Sequence, residues 1–462
     1  MTITTSSTSS TTSSTMNPWA TDTDVKARRQ AALDRLTGET NGSGTARRSK
    51  PSRRAVQVTA PRVAEQLGPT PGVFYAIMVI VAVFVMLGLV MVLSATSANQ
   101  VGGDRSPYTI FNRQAIWASL GFGAMIIAYK VPYRRWRSFV IPGTILAAGG
   151  MMLPFVPGLG ATINDANSWV RFGSFGFQPS EFLKLGAIAF LADIFARHRD
   201  ELAEPRRGLV PMTIVAFGCA GVSFLQGDLG SAIVLASVVL AVGLIAGVPL
   251  VHVASVSFVG VLGATIAILS DPRRFNRLAA FRDIEGNKEH LAWQSWQGLL
   301  SIANGGMTGS GIGGSNSKLG YLPLAHSDFI FAVIADELGF VGSVAVVGGF
   351  ALLVWFGIQT ALAAPDQFGL LLAGGISVWF GVQSIINMGG VVGLMPVTGL
   401  TLPFFSAGGT SLFISMVAAG LLLNVARRAV TAPRRSTSKM TSIATSPQRS
   451  RPKVATAGRT AR

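Results

Sequence analysis

Apolar stretches of the length needed to cross a membrane recur through the middle of the sequence. The hydrocarbon core of a bilayer is about 30 Å thick, and a helix needs about 20 residues to cross it. The pattern predicts an all-α polytopic membrane protein with about ten transmembrane helices. The predicted spans are Val73–Ser97, Gln114–Ala128, Phe139–Val156, Phe182–Ala196, Leu209–Leu225, Ser231–Ala246, Val251–Ser270, Phe329–Ile358, Phe368–Asn387 and Ser411–Val425.

The basic residues lie mainly at the two ends of the chain. The net charge of the 462 residues is +17, and about half of the 38 Lys and Arg residues lie before the first span or after the last. Both ends are rich in Ser, Thr, Pro and Arg and cannot bury enough apolar surface to fold alone. The sequence therefore predicts disordered basic cytoplasmic tails at 1–72 and 428–462 around a membrane domain at 73–427. Nucleic acid is not an expected partner, and the polar stretch Met1–Ser14 is not expected to be a signal peptide.

The distribution of charge between the spans predicts the orientation of the protein. Short cytoplasmic loops carry an excess of Lys and Arg. Lys130–Arg137 and Arg197–Arg207 are rich in both, whereas Ala98–Ile110 and Pro157–Phe177 each contain a single arginine. We therefore expect a multi-pass protein of the inner (cytoplasmic) membrane with both termini cytoplasmic. Asp271–Ser327, between the seventh and eighth helices, is then a large extracytoplasmic loop. A loop of this length is usually functional or disordered.

The densest group of polar residues lies where this loop meets the eighth helix. Asp328 follows His326 and Ser327 and precedes the apolar run of the helix. A half-desolvated carboxylate at such a place gains proton affinity and can serve as a general base. An aspartate there can equally cap the helix, so both roles remain open. His326 is a candidate to orient Asp328.

Four basic residues of the loop are candidates to bind a pyrophosphate: Lys318, Arg273, Arg274 and Arg277. Contact with lipid headgroups or with water explains the same charges. The glycine-rich stretch 305–314 lacks a lysine at the spacing of a phosphate-binding loop, so nucleotide binding is disfavoured. No metal centre is predicted, because His252 and His326 lack carboxylate partners at ligand spacing.

Ionisable residues also fall within or beside the spans, where charge is costly and usually functional. They are Glu181, Lys184, Asp193, Asp228, Asp336 and Glu337. Glu181 and Lys184 are three residues apart on one helix, and that spacing favours an ion pair. Asp228 can equally have a functional role or cap the sixth helix, so both roles remain open.

Four motifs in this order resemble the SEDS family of bacterial shape, elongation, division and sporulation proteins, which includes FtsW, RodA and SpoVE. They are Gln178-Pro-Ser-Glu-Phe-Leu-Lys184, Gln226-Gly-Asp-Leu-Gly230, the segment from Gly309 to Gly339 with His326-Ser-Asp328, and the long C-terminal signature from Asn387 to Ser411. The resemblance covers roughly residues 73–427. The Gly-Leu-Thr-Leu-Pro form of the signature and the long tails favour the FtsW branch.

The resemblance implies a peptidoglycan glycosyltransferase that polymerises lipid II into glycan strands during septal cell-wall synthesis. It implies Asp328 as the catalytic carboxylate. The implied partners are a class B penicillin-binding transpeptidase and other division proteins. The matched motifs supply further candidates for substrate binding, namely Trp169, Arg171, Glu181, Lys184, Asp228, Ser406, Gly408 and Gly409.

Three positions depart from the family pattern. Leu324 stands where the family usually has a glutamate two residues before the histidine, and Gly227 replaces the usual proline of the Gln-Pro-Asp motif. Ser168 stands where an arginine usually precedes Trp169, and Arg171 is a candidate to replace that arginine. The missing glutamate removes a negative charge and puts in doubt a divalent cation such as Mg²⁺ or Mn²⁺. No other cofactor is expected.

Other functions agree with the same features. The intramembrane polar residues are compatible with a lipid II flippase. The family also contains RodA-like polymerases of cell elongation. A third alternative is a non-catalytic scaffold for a transpeptidase, against which the presence of Asp328 in a matching motif argues.

Overall fold

The computed structural model describes residues 71–97, 108–163, 166–173, 175–315 and 322–431, and there it confirms the predicted helical membrane fold. Each predicted span coincides with or overlaps a helix. The longer helices are α1 (Pro71–Ser97), α2 (Thr109–Lys130), α3 (Tyr133–Gly150), α4 (Pro179–Arg197), α5 (Leu209–Thr213) continued by a π-helix (Ile214–Cys219) into α6 (Ala220–Leu225), α7 (Leu229–Ala246), α8 (Leu250–Leu269), α9 (Pro272–Arg282), α10 (Trp293–Gly305), α11 (Ile330–Leu362), α12 (Gln367–Val391) and α13 (Gly409–Thr431).

Seven helices of the described residues are long and apolar enough to cross a membrane, namely α1, α3, α7, α8, α11, α12 and α13. The run from α5 to α6 is apolar but shorter. Two other helices that overlap predicted spans carry more polar residues: α2 contains Asn112, Arg113 and Gln114 near its start, and α4 contains Glu181, Lys184 and Asp193. The buried polar side chains of both helices have protein partners: the Gln114 amide donates to the Ser406 carbonyl at 2.9 Å, Lys184 pairs with Glu181, and Asp193 pairs with Arg137 and Arg197. These partners let both helices run through the bundle with lower hydropathy.

The third helix begins earlier than predicted. Two predicted bounds are wrong, because α3 runs from Tyr133 to Gly150. The predicted span was Phe139–Val156, and the predicted loop before it was Lys130–Arg137. Its first turns are held by ion pairs: Arg134 Nε lies 2.8 Å from Asp366 Oδ2, and Arg137 pairs with Asp193. These partners satisfy polar residues that hydropathy alone assigns to a loop.

A small antiparallel sheet, which the sequence did not predict, joins α3 to α4. Its strands are β1 (Gly160–Ile163), β2 (Ala166–Phe172) and β3 (Phe175–Phe177), in that order. In the register, Trp169 lies opposite Ala161 and Arg171 opposite Gly176. The Asn167 amide donates to the Gln226 carbonyl at 2.8 Å, which fixes the sheet against the end of α6.

The bundle has two chemically different ends. The segment before α11 and the first turn of α13 lie together, because the Ala407 amide donates to the His326 carbonyl at 2.8 Å. At the other end of α13, Asn424 bonds to the turn between α2 and α3. The 20 residues from Gly409 to Arg428 separate the two ends by about 30 Å at 1.5 Å per residue.

Candidate active site

Asp328 lies in a tight turn immediately before α11. The turn begins at Leu324, whose φ of 54° is in the left-handed region that side chains other than glycine rarely adopt. The Leu324 carbonyl accepts the Ser327 amide at 2.9 Å. Phe329 is the N-cap residue of α11 and provides no side-chain hydrogen bond. Asp328 therefore precedes the cap, and no capping bond from its carboxylate is seen.

The C-terminal signature holds this turn from the other side. The Asn387 side-chain amide donates to the carbonyls of Asp328 at 2.9 Å and Leu400 at 2.7 Å. The Ser406 hydroxyl donates to the Ser327 carbonyl at 2.6 Å and accepts the Leu402 amide at 2.8 Å. The predicted residue Ser406 thus fixes the backbone next to Asp328. Sequence reasoning gave Asn387 no role, although a polar amide in an apolar helix is a signal for one.

The Asp328 carboxylate is only partly exposed and lies in a pocket. The other lining residues come from α12 and from the loop between α12 and α13, residues 392–408, which we call the signature loop. They are Ile386, Asn387, Gly390, Val391, Val397, Thr398, Gly399 and Leu400. Burial, opposed by the hydrogen bond with Ser327 and aided by the charge of Asp228, raises the pKa of Asp328 to about 7. Burial also lowers the pKa of His326. At neutral pH the carboxylate in the pocket is therefore close to its titration point, and the imidazole of His326, two residues earlier in the chain, is neutral.

Asp228 caps α7, which was one of the two roles open to it, and joins two motifs. Its Oδ1 accepts the Ser231 amide at 2.9 Å, and its Oδ2 accepts the Gln178 side-chain amide at 2.8 Å. Next to the cap, Gly230 packs closely against Thr398 and Leu400 of the signature loop. The carboxylate is thereby placed near enough to Asp328 to act on its pKa.

Glu181 and Lys184 form the predicted ion pair, with 2.8 Å between Nζ and Oε1, and both are fully buried. Lys184 also donates to Gln383 Oε1 at 2.9 Å, and the Gln383 amide donates to the Thr401 carbonyl at 2.9 Å. The network therefore reaches the signature loop from inside the bundle. Its burial favours support of the loop over direct contact with a ligand.

The remaining basic candidates lie on separate elements. Arg274 forms an ion pair with Asp271 at 3.5 Å, and its guanidinium carbon lies 3.9 Å from the centre of the Phe224 ring, close to the Asp228 motif. Trp169 and Arg171 lie on β2, and Arg171 is exposed. Lys318 and the Arg273 side chain lie outside the described residues.

The candidate glycines serve close packing. Gly408 lies against Thr401, and Gly409 lies against the indole ring of Trp117, so neither site has room for a side chain. In the glycine-rich stretch, the amides of Ser310 and Gly311 donate to the carbonyls of Asp336 and Glu337 at 2.9 and 3.0 Å. These amides pair with α11, which agrees with the prediction that the stretch is no phosphate loop.

The donor set for a cation is incomplete. Among the described residues, no three His, Cys, Asp or Glu side chains lie together as metal ligands. Asp228, the carboxylate that acts on Asp328, already accepts a hydrogen bond on each oxygen. The residues around Asp328 do not fit the divalent cation left open by the sequence.

Comparison with known proteins gives a consistent result over the membrane domain. Residues 75–431 match a family described as cell cycle protein, with FtsW, RodA and SpoVE as its named members. Stage V sporulation protein E of Bacillus subtilis is 35% identical over 351 residues, which are 76% of this chain and 96% of that protein. The probable peptidoglycan glycosyltransferase FtsW of Geobacter sp. strain M18 is 34% identical over 352 residues, 76% of this chain and 96% of that protein.

Solved structures share the fold. A chain from work on the structural coordination of polymerization and crosslinking by a peptidoglycan synthase complex is 29% identical, with a TM-score of 0.64 over 77% of this chain and 98% of that one. The rod shape determining protein RodA of Thermus thermophilus is 28% identical, with a TM-score of 0.56 over 76% of this chain and 96% of that protein.

Proposed function

Because the chain belongs to the cell cycle protein family of FtsW, RodA and SpoVE, we propose that it is a peptidoglycan glycosyltransferase that polymerises lipid II outside the cytoplasmic membrane. The observation that carries the proposal is the partly exposed carboxylate of Asp328, whose pKa of about 7 suits a general base near neutral pH. Two relatives described as probable peptidoglycan glycosyltransferase FtsW match 76% and 77% of the chain.

In the proposed reaction, Asp328 removes the proton of the 4-hydroxyl of the acceptor N-acetylglucosamine. The hydroxyl oxygen attacks the anomeric carbon of the growing chain and forms the glycosidic bond. The bond from that carbon to undecaprenyl pyrophosphate breaks, and the pyrophosphate leaves with the bonding electrons. Positive charge near the leaving group stabilises the transition state. Arg274, which lies against Phe224 near the Asp228 motif, is the described residue that we propose for this role, with Arg273 and Lys318 as further candidates.

The finer role that we propose is septal synthesis during cell division, with a class B penicillin-binding transpeptidase and other division proteins as partners. Relatives named FtsW, at 32 to 36% identity, support the role in septal synthesis. The similarity to a chain of a peptidoglycan synthase complex supports the transpeptidase. Depletion tests the role: filamentous cells are expected, and rounded cells would assign the protein to elongation.

The Asp328→Asn variant tests the reaction. Loss of the base is expected to lower polymerisation of purified lipid II by 100-fold or more, since general bases contribute about 10²–10⁴-fold. The assay uses the full chain with its transpeptidase partner and measures glycan length on gels. Glu289→Gln removes an exposed carboxylate from the same loop and is expected to leave the rate unchanged.

Two results would contradict the proposal. Normal polymerisation by a correctly folded Asp328→Asn protein would remove Asp328 as the base. Translocation of lipid II in liposomes without polymer from the unmodified protein would favour a transporter instead. Folding is intact if the unfolding midpoint of Asp328→Asn is no lower than that of Glu289→Gln and both variants are recovered equally with the partner.

A further inference from the structure

A basic cavity lies at the end of the bundle opposite Asp328. It has a volume of about 340 Å³ and is lined by Tyr129, Lys130, Asn424, Arg427 and Arg428. Three of these five side chains are cations and none is a carboxylate. The cavity is separated from Asp328 by the length of α13, so the proposed reaction does not use it.

The cavity is built around a fixed turn. The Asn424 side-chain amide donates to the Ala128 carbonyl at 2.7 Å and to the Val131 carbonyl, and its oxygen accepts the Tyr133 amide at 3.4 Å. Asn424 thus joins α13 to the turn between α2 and α3. Because its side chain has three backbone partners in and beside this turn, Asn424 fixes the position of the cavity lining.

Aromatic rings hold the two arginines in place. The guanidinium carbon of Arg427 lies 5.3 Å from the centre of the Tyr129 ring, and that of Arg428 lies 5.4 Å from the centre of the Tyr133 ring. Such contacts limit the conformations of long side chains and reduce the entropy lost when a ligand binds. The cations are therefore preorganised around the cavity.

Nearby carboxylates are engaged in other contacts. Asp366 accepts hydrogen bonds from Tyr133, Arg134 and the Gly369 amide, and these bonds keep its pKa below the usual range. Asp193 pairs with Arg137 and Arg197. The lining itself contributes three cations and no carboxylate, and this composition favours an anionic ligand.

The surroundings favour a ligand from the membrane. Ile127, which lies one turn before Lys130 on the same face of α2, is 56% exposed. The cavity thus adjoins an apolar surface at the end of a membrane helix, where basic pockets between helices bind anionic headgroups. We propose that the cavity binds the phosphate group of an anionic phospholipid, with an acyl chain along α2 at Ile127.

The test measures lipid affinity of the full-length protein in a neutral detergent. The unfolding midpoint is followed during titration with phosphatidylglycerol, phosphatidylcholine or inorganic phosphate at constant ionic strength. We expect phosphatidylglycerol alone to raise the midpoint. The Arg427→Gln, Arg428→Gln double variant should lower the apparent affinity by about 30-fold, and Lys130→Gln by about fivefold, from the usual contribution of one basic residue to an anionic surface.

The matched control removes two charges at the same end of the bundle but outside the cavity. Arg135→Gln with Arg206→Gln changes two exposed arginines and should keep the affinity of the unmodified protein. Equal stabilisation by inorganic phosphate, an equal loss in the control, or full affinity in the double variant would each overturn the proposal. If the double variant does not fold, Lys130→Gln decides, because Lys130 is exposed and makes no buried contact that its replacement would disrupt.

Discussion

The local environment of a single residue, Asp328, determines whether this site can do acid–base chemistry. Its turn starts from the left-handed conformation of Leu324 and ends in the hydrogen bonds from Asn387 and Ser406. Backbone strain of this kind persists where surrounding contacts fix it, and it is common at functional sites. The carboxylate is thus held where burial disfavours its charge. An exposed aspartate in the same motif would be ionised far below neutral pH and would be a weaker base.

The raised pKa of Asp328 predicts how activity depends on pH. A base works only when deprotonated, so a group with a pKa of about 7 loses activity as the pH falls below 7, by about tenfold per unit. Polymerisation of lipid II at saturating substrate should therefore rise between pH 5.5 and 8 and level off above the pKa.

The raised pKa of Asp328 has the opposite effect on stability, which falls as the pH rises. Because the folded-state pKa lies above the ordinary value of 3.8, the folded protein binds the proton more tightly and loses stability as the pH rises between these values. Asp328→Asn should raise the unfolding midpoint at pH 8 and leave it nearly unchanged at pH 4. A polymerisation rate independent of pH, with equal midpoints at pH 8, would contradict the environment described for Asp328.

Among the elements, α11 is shaped by the glycine-rich segment that precedes it. Gly339 has a φ of 67° inside α11, and at this kink the amides of Phe340 and Val341 donate to the carbonyls of Gly306 and Met307 at 2.9 and 3.3 Å. Asn304 supports the junction by donating to Asp336 at 2.8 Å. The large loop is therefore bonded to the helix through its backbone, and the kink positions the start of α11 that follows Asp328.

Gly309→Ala tests this junction. Gly309 has a φ of 81°, and an added Cβ would meet the Glu337 backbone, so we expect a loss of about 1–3 kcal/mol of stability. Gly263→Ala is the matched control, because it lies in α8 with open space around it and alanine favours helix. The measurements are the unfolding midpoint and the rate of proteolysis between residues 305 and 315. Equal midpoints for the two variants would show that the junction does not hold the loop.

At the scale of the whole molecule, the two ends of the bundle carry different chemistry. The Asp328 end contains the pocket and the signature loop, whereas the other end contains the ion pairs of Asp193 and Asp366 and the basic cavity. The basic end is the one that the positive-inside rule places in the cytoplasm. The proposed reaction then takes place on the outer side.

Cysteine labelling tests this orientation. In a Cys219→Ser background, Glu289→Cys in the large loop and Glu204→Cys between α4 and α5 place single thiols at exposed positions. A membrane-impermeant maleimide should label Glu289→Cys on intact spheroplasts and Glu204→Cys only in inverted vesicles. The reverse pattern would place Asp328 on the cytoplasmic side and exclude the proposed reaction.

The amino-acid sequence alone predicts the helical membrane fold and the Glu181–Lys184 pair, because both follow from local periodicity or spacing, and it leaves Asp228 between a cap and a functional role. It also singled out Asp328. It did not determine the start of α3, the small sheet or the role of Asn387, since these depend on partners far along the chain, such as Asp366, Gln226 and Leu400. Only the tertiary structure decided that Asp328 lies in a pocket instead of capping α11, because desolvation by α12 and the signature loop is a property of packing.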